Sequence, residues 1–257
     1  MPQAPDTFRC YADTVGDLKD RRARKKAQTR EQIQRVAQRM FAERGFETVT
    51  IADIAGAADV AVQTVFNHFA TKEELFFADR AEWVDGAAAA VRSRPRDVEP
   101  LTALREHFLG TVRLYLRALT EPHMQAMVAT LDASPALSAY ERELHHEAVR
   151  RLTAALIEAC PEGNSAVTGA PPSVTLRTSA WLTASLWCAA VRALLIEQRA
   201  ELTDAVGAVE AAVAVERLAE HVLGQLAENP TLLQCCPAVA PQTAEITGWP
   251  AAARRAV

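Results

Sequence analysis

The short segment from Ala61 to Thr64 carries side chains that are suited to reading the edges of DNA bases. Gln63 has an amide that can donate and accept at once, which matches the N6 and N7 edge of adenine. Ala61 and Val62 are small and apolar, so either can contact a thymine methyl group. Thr64 and Asn67 are short polar residues that suit a phosphate or a neighbouring base. These residue types predict base recognition in a major groove.

Two short helices joined by a tight turn must position this segment. Thr50 and Asp53 predict an approximate capping box at the start of the first helix. Asp59 and Val60 predict the turn, and the second helix is expected over 61–69. An arrangement of this kind, a helix-turn-helix, lays the start of its second helix in the major groove.

Residues around these helices are candidates for holding the sugar–phosphate backbone. Thr50 lies at a helix start, where its hydroxyl and the backbone N–H groups can donate to a phosphate. His68 is equally suited to packing or capping and to a phosphate contact. Val65 and Phe69 lie three to four residues apart and are expected in the core. The basic run from Arg21 to Lys26 could reach the adjacent groove or act only through undirected electrostatic attraction.

The charge of the 257-residue chain is distributed unevenly. The net charge is −4. Residues 21–72 contain ten Lys and Arg against five Asp and Glu, so this segment carries +5 and the remainder −9. A basic module on an acidic body is typical of a protein that presents one face to nucleic acid.

The pattern predicts an all-α protein in four parts. Residues 1–20 are expected to be a flexible leader, 21–71 a helix-turn-helix domain, 72–228 a helical body and 229–257 a mobile tail. The first helix is expected from Arg24 to Arg44, with Gly45 as its stop. Thr71 is expected to cap the fourth helix. Further helices are expected near 72–92, 101–120, 122–132, 136–160, 173–200 and 203–228.

The run QIQRVAQRMFAERGFETVTIADIAGAADVAVQTVFNHFATKEELF resembles the TetR family of bacterial transcriptional regulators. Four elements carry the resemblance: F-x-E-R-G-F from Phe41, T-I-A-D-I-A from Thr50, V-x-x-x-T-V-F-N-H-F from Val60, and T-K-E-E-L from Thr71. The resemblance covers about 50 residues. It implies a three-helix DNA-binding domain and a larger C-terminal helical domain for ligand binding and dimerisation.

The resemblance also assigns expected roles to two residues. Lys72 matches the family's phosphate-binding lysine at the start of the fourth helix. Phe66 stands where the family often has Tyr, whose hydroxyl can reach a phosphate; a phenyl ring can only pack against sugar.

In proteins of this family the last two helices pair across a two-fold axis, which implies a homodimer through helices near 173–200 and 203–228. The homodimer would bind an approximately palindromic double-stranded DNA operator. The resemblance implies a repressor released by an unknown small-molecule effector, without a cofactor. An activator, or a regulator controlled by a protein partner or by no small ligand, is the alternative. Candidate pocket residues are Trp83, His107, Phe108, Tyr115, Met124, Met127, Trp181 and Trp187, each also suited to a plain core. His107 and Arg113 could orient an anionic ligand.

An enzyme is the alternative from another class. His145 and His146 lie near several glutamates, but adjacent helical residues point about 100° apart, and neither an H-E-x-x-H motif nor a metal-ligand spacing is present. The first 20 residues lack the apolar segment of a signal peptide, and the apolar run 180–191 is too short to span a bilayer. We therefore expect a cytoplasmic, non-enzymatic protein without membrane partners.

Overall fold

The computed structural model describes residues 7–78, 80–160, 172–196, 199 and 208–228, and within these residues the regular structure is entirely helical. The ten helices are α1 (Thr7–Arg44), α2 (Ile51–Ala57), α3 (Val62–His68), α4 (Lys72–Phe76), α5 (Arg80–Ser93), α6 (Pro100–Ala118), α7 (Pro122–Ala133), α8 (Pro135–Ala159), α9 (Pro172–Leu195) and α10 (Ala208–Glu228). The predicted all-α fold is confirmed.

Local sequence signals set the ends of the N-terminal helices. Gly45 follows α1 with φ +80°, a conformation that glycine adopts without steric cost. The Thr50–Asp53 capping box is present at α2, and the Thr71 hydroxyl accepts a hydrogen bond from the backbone N–H of Glu74 at α4. Asp59 has φ +53° in the turn before α3. These caps and the turn are confirmed.

The first hydrophobic core joins α1 to α4. Its largest fully buried side chains include Ile33, Phe41, Ile54, Phe69 and Leu75. The α4 residues in this core lie beyond the domain boundary predicted at residue 71. Leu131 of α7 and Leu137 of α8 also belong to it, so the N-terminal helices and the body are packed directly together.

Two further contacts fasten this junction. The Ser134 hydroxyl, at the start of α8, donates to Glu47 Oε1 at 2.5 Å. The ring of Phe77, just after α4, stacks on Tyr140 of α8 with centroids 5.6 Å apart. The start of α8 therefore contacts the chain both before α2, at Glu47, and after α4, at Phe77.

The second hydrophobic core lies in the body. Helices α5, α6, α8, α9 and α10 pack around it. Proline occupies the first helical position of α6, α7 and α8, where its missing N–H removes no helical hydrogen bond.

Two helix predictions are wrong. The expected leader is helical from Thr7 onwards, because no proline interrupts 7–44 and Gly16 alone does not end a helix. The single helix expected over 72–92 is two helices, since the backbone leaves helical geometry at Phe77 with φ −94° and ψ 39°. The predicted tail 229–257 lies outside the described residues.

The segment Leu176–Leu195 of α9 is long and apolar enough, at a mean hydropathy of 1.2, to cross a membrane. Nearly half of it, 44%, is buried inside the fold. Trp187 and Leu195 on this helix are completely enclosed by the body core. The packing of this helix in the body core accounts for the apolar composition of the segment.

Candidate nucleic-acid interface

The outward face of α3 combines apolar and amide side chains. Val62 and Phe66 are 42% and 46% exposed, and Gln63 and Asn67 are exposed beside them. Ala61 precedes them and is exposed, whereas Thr64 is half-buried. Val65 and Phe69 are buried on the opposite face, as the spacing predicts. The helix therefore presents the residues predicted to contact bases.

The Gln63 amide is held by its neighbour on the same face. Its Nε2 donates to Asn67 Oδ1 at 3.2 Å, a pairing allowed by the four-residue spacing. The bond uses one amide hydrogen. The second hydrogen and the carbonyl oxygen are sufficient for a bidentate pair with adenine.

The Thr50 hydroxyl is engaged in the capping box. It donates to Asp53 Oδ2 at 2.7 Å and accepts from the Asp53 backbone N–H at 3.1 Å. The hydrogen bond from the Thr50 hydroxyl, together with one from the Thr50 backbone N–H at 2.9 Å, holds the pKa of the Asp53 carboxyl below its usual value. A phosphate would have to compete with this carboxylate for the hydroxyl proton, so the predicted side-chain donation by Thr50 requires the cap to rearrange.

The Lys72 ammonium is turned toward the protein. Nζ donates to the carbonyl oxygens of Phe46 at 2.8 Å and Val49 at 3.2 Å. It also lies 4.1 Å from the centroid of the Phe46 ring. Lys72 therefore fastens α4 to the loop before α2, and one of its three N–H groups remains for the predicted phosphate contact.

His68 at the end of α3 favours packing. Burial and the nearby charges of Lys26 and Arg30 lower the pKa of its imidazole. Its Nδ1 is buried and lacks a hydrogen-bond partner within the described part of the chain. A neutral imidazole still carries one N–H group, so a phosphate contact by His68 would be a hydrogen bond without a charge pair.

Two residues of α1 hold the backbone around α3 in place, and the sequence pattern does not indicate either of them. Arg30 donates to the carbonyl oxygen of His68 at 2.6 Å and lies over the Phe69 ring at 4.1 Å. Gln32 donates to the carbonyl oxygen of Ala58 at 2.8 Å, in the turn between α2 and α3. Both are side-chain contacts to backbone 26 or more residues away, which local spacing does not encode.

The basic run from Arg21 to Lys26 is part of α1, and its side chains are exposed. It is therefore a helical arm rather than an extended one. Its cations lie on the same helix as Arg30, which contacts the end of α3. The charge of Lys26 lowers the pKa of the His68 imidazole, so positive charge lies near the C-terminal end of α3.

Replacing Lys72 by Met should lower the free energy of unfolding by about 1–2 kcal/mol, because two charge-assisted hydrogen bonds of a half-buried group are lost. If its third N–H binds a phosphate, the slope of log affinity against log salt also falls by about one unit. Urea unfolding and DNA titration at several salt concentrations measure the two effects. Lys26→Met, at an exposed lysine, is the control and should leave stability unchanged. A stability loss with an unchanged slope would remove Lys72 from the phosphate contacts.

Comparison with known proteins shows what the N-terminal helices are similar to. The family described as "Bacterial regulatory proteins, tetR family" matches residues 33–78, which contain α2, α3 and α4. This part of the chain is therefore similar to the tetR family of bacterial regulatory proteins. The relatives that match are named as transcriptional regulators and repressors, and the family is not one of enzymes.

The HTH-type transcriptional regulator TcmR of Streptomyces glaucescens is 34% identical over 122 residues, covering 46% of this chain and 54% of TcmR. The repressor KstR2 of Mycobacterium tuberculosis is 31% identical over 100 residues, covering 38% of this chain and 48% of KstR2. The chain thus spans about half the length of these curated relatives. Among solved structures, the repressor NalD of Pseudomonas aeruginosa is 20% identical, with a TM-score of 0.45, covering 78% of this chain and 94% of NalD.

The body of this chain contains two neighbouring cavities, which we treat as two lobes of one cavity because they share wall residues. An inner lobe of about 250 Å³ and a junction lobe of about 450 Å³ share Trp83, Tyr115 and Met124 in their walls. His107 and Phe108 line the inner lobe, and Met127 lines the junction lobe. Six of the eight predicted pocket residues are therefore brought together.

The two tryptophans of α9 that were predicted for the pocket lie outside both lobes. Trp187 is completely buried and stacks on Phe108, with ring centroids 6.1 Å apart. Trp181 is 53% exposed on the outer side of the helix. Neither lines either lobe. The helix is apolar on several sides, so its periodicity alone does not identify the side that faces the cavity.

Proposed function

We propose that this chain is a sequence-specific DNA-binding transcriptional regulator, acting as a cytoplasmic homodimeric repressor that a small molecule releases from its operator. The outward face of α3 carries the proposal. Gln63, Val62 and Phe66 project there from a helix whose other side is locked into a core, which is how a recognition helix must be held.

The outer faces of α9 and α10 support a dimer. Trp181, Leu182 and Leu186 of α9 are 41–53% exposed, and Val209 and Val213 of α10 are 75% and 45% exposed. Large apolar side chains grouped on two helices indicate an interaction surface. Pairing of these helices across a two-fold axis would give a four-helix interface and two recognition helices per dimer, one from each chain.

The position of the cavity supports release by a ligand. Phe76 and Phe77 from the α4 region line the junction lobe together with Gln38 of α1 and Leu131 of α7. A ligand there touches the core that holds α3. Two arrangements of α4, one fitting the operator spacing and one stabilised by the ligand, would couple the sites. A cavity of this size favours a small-molecule effector over the protein-partner alternative.

Gln63→Ala should relax base preference at one operator position and cost roughly 1–3 kcal/mol on the preferred sequence. The reason is loss of a bidentate amide, without loss of charge. Fluorescence anisotropy on the best duplex and on its single-base variants measures the effect. Non-specific duplex is the internal control, since affinity for it and the salt slope should stay unchanged. Equal losses on every duplex would contradict base readout by Gln63.

A further inference from the structure

The charged groups around the cavity are either paired or at its rim. Arg199 is 5% exposed, and its guanidinium bonds to both carboxylate oxygens of Glu141, to Asp132 Oδ1 at 3.3 Å and to the Tyr115 hydroxyl at 3.0 Å. Glu82, which also lines the inner lobe, is exposed. The buried guanidinium already has its carboxylates, so an anionic ligand would have to displace one of them.

Apart from the exposed Glu82, the titratable groups that line the inner lobe have pKa values shifted toward their uncharged forms by burial. Burial lowers the pKa of His107, and burial together with Arg192, Arg199 and His146 lowers the pKa of His145 to about 4. Burial raises the pKa of the Cys188 thiol to about 12. Arg113, expected from sequence as a possible anion partner, instead pairs with Glu216 and Glu220 of α10. The inner lobe therefore lacks a buried lining charge to complement an ion.

One polar atom in the inner lobe is left without a partner. His145 Nε2 is buried and makes no hydrogen bond within the described residues, although its ring packs edge-on against Trp83 with centroids 5.4 Å apart. A buried imidazole nitrogen without a partner is unfavourable, and a ligand group that bonds to it removes that cost.

The walls favour aromatic rings. Trp83, Phe108 and Tyr115 line the lobe from α5 and α6, and His107 of α6 lines it with them. The ring of His107 approaches α5 closely at Gly86, where a Cβ atom would lie 2.7 Å from His107 Cε1. The absence of a side chain at Gly86 therefore lets this imidazole pack against α5. Aromatic ligands bind to aromatic walls by stacking and edge contacts.

We propose that the cavity takes an uncharged, flat aromatic molecule with a hydroxyl or carbonyl group that hydrogen-bonds to His145 Nε2. This inference rests on the proposed function for its meaning, because it names the chemical class of the effector. Charge is the main discriminator: an ion would leave water without gaining a buried partner of opposite sign.

The test uses four pyrenes on one scaffold: 1-pyrenemethanol, 1-methylpyrene, 1-pyrenecarboxylate and 1-pyrenemethylammonium. Fluorescence titration of the full chain at pH 7.5 should give at least tenfold tighter binding of the neutral alcohol than of either ion. Tightest binding of the carboxylate or of the ammonium would overturn the proposal, as would failure of both neutral probes to bind.

His145→Phe supplies the second arm, since it keeps an aromatic ring and removes the nitrogen. Binding of 1-pyrenemethanol should weaken threefold to tenfold, whereas binding of 1-methylpyrene should change less than twofold. Equal changes for both probes would overturn the hydrogen bond to His145. Binding of a DNA duplex that the unchanged protein selects from a random library is measured on the same preparations. Its loss would contradict the proposed function, whereas a wrong order of pyrenes with DNA binding intact would contradict this inference alone.

Discussion

Replacing Glu141 by Leu should lower the free energy of unfolding by about 3 kcal/mol, the low end for removing one partner of a buried ion pair. Glu141 and Arg199 are 8% and 5% exposed, and the substitution leaves the guanidinium with Asp132, a carboxylate 52% exposed, and a phenol. Urea unfolding followed by circular dichroism measures the change.

The double variant Glu141→Leu with Arg199→Met separates loss of the pair from loss of packing. It should recover stability to within about 1 kcal/mol of the unchanged protein, because apolar replacement of both partners is often neutral. Glu158→Leu is the matched control: Glu158 pairs with Arg92 through two hydrogen bonds but is 57% exposed. It should cost less than about 1 kcal/mol, as exposed pairs do. Equal losses at Glu141 and Glu158 would contradict the stability role of the buried pair.

The second large effect is expected at the proposed dimer face. Leu186→Glu should weaken self-association at least a hundredfold, equivalent to about 3 kcal/mol, because it places an unpaired carboxylate between two apolar helices. Sedimentation equilibrium should give twice the chain mass of 27.9 kDa for the unchanged protein and a monomer for the variant at micromolar concentration. Affinity for a two-half-site duplex should fall with it.

The control for this substitution is Leu114→Glu. Leu114 is also an exposed leucine, at 63%, but it lies on α6 and outside the proposed face. It should leave the association state unchanged. A Leu186→Glu variant that remains dimeric would place the interface elsewhere.

The local features of the helix-turn-helix region could be predicted from sequence because each depends on neighbouring residues. The Thr50–Asp53 box, the stop at Gly45 and the turn at Asp59 follow from side-chain capping and from backbone preferences. The buried and exposed faces of α3 follow from its 3.6-residue period.

The remaining features depend on contacts between distant segments. Arg30 donates to the carbonyl oxygen of His68, a contact that its neighbouring residues do not indicate. The same holds for Lys72, which donates to the carbonyl oxygens of Phe46 and Val49. Trp181 and Trp187 lie on one helix that is apolar on several sides, so sequence does not separate the core face from the outer face. Glu141 and Arg199, which form the buried pair, are 58 residues apart in sequence.

Sequence-specific DNA binding by a dimer can be tested by selecting bound sequences from a random duplex library at physiological salt. We expect a palindromic consensus with two half-sites about one helical turn apart, since two copies of α3 must enter successive major grooves. A single unpaired half-site would contradict the dimer. Binding without enrichment of any sequence, lost steeply with added salt, would contradict sequence-specific recognition by α3.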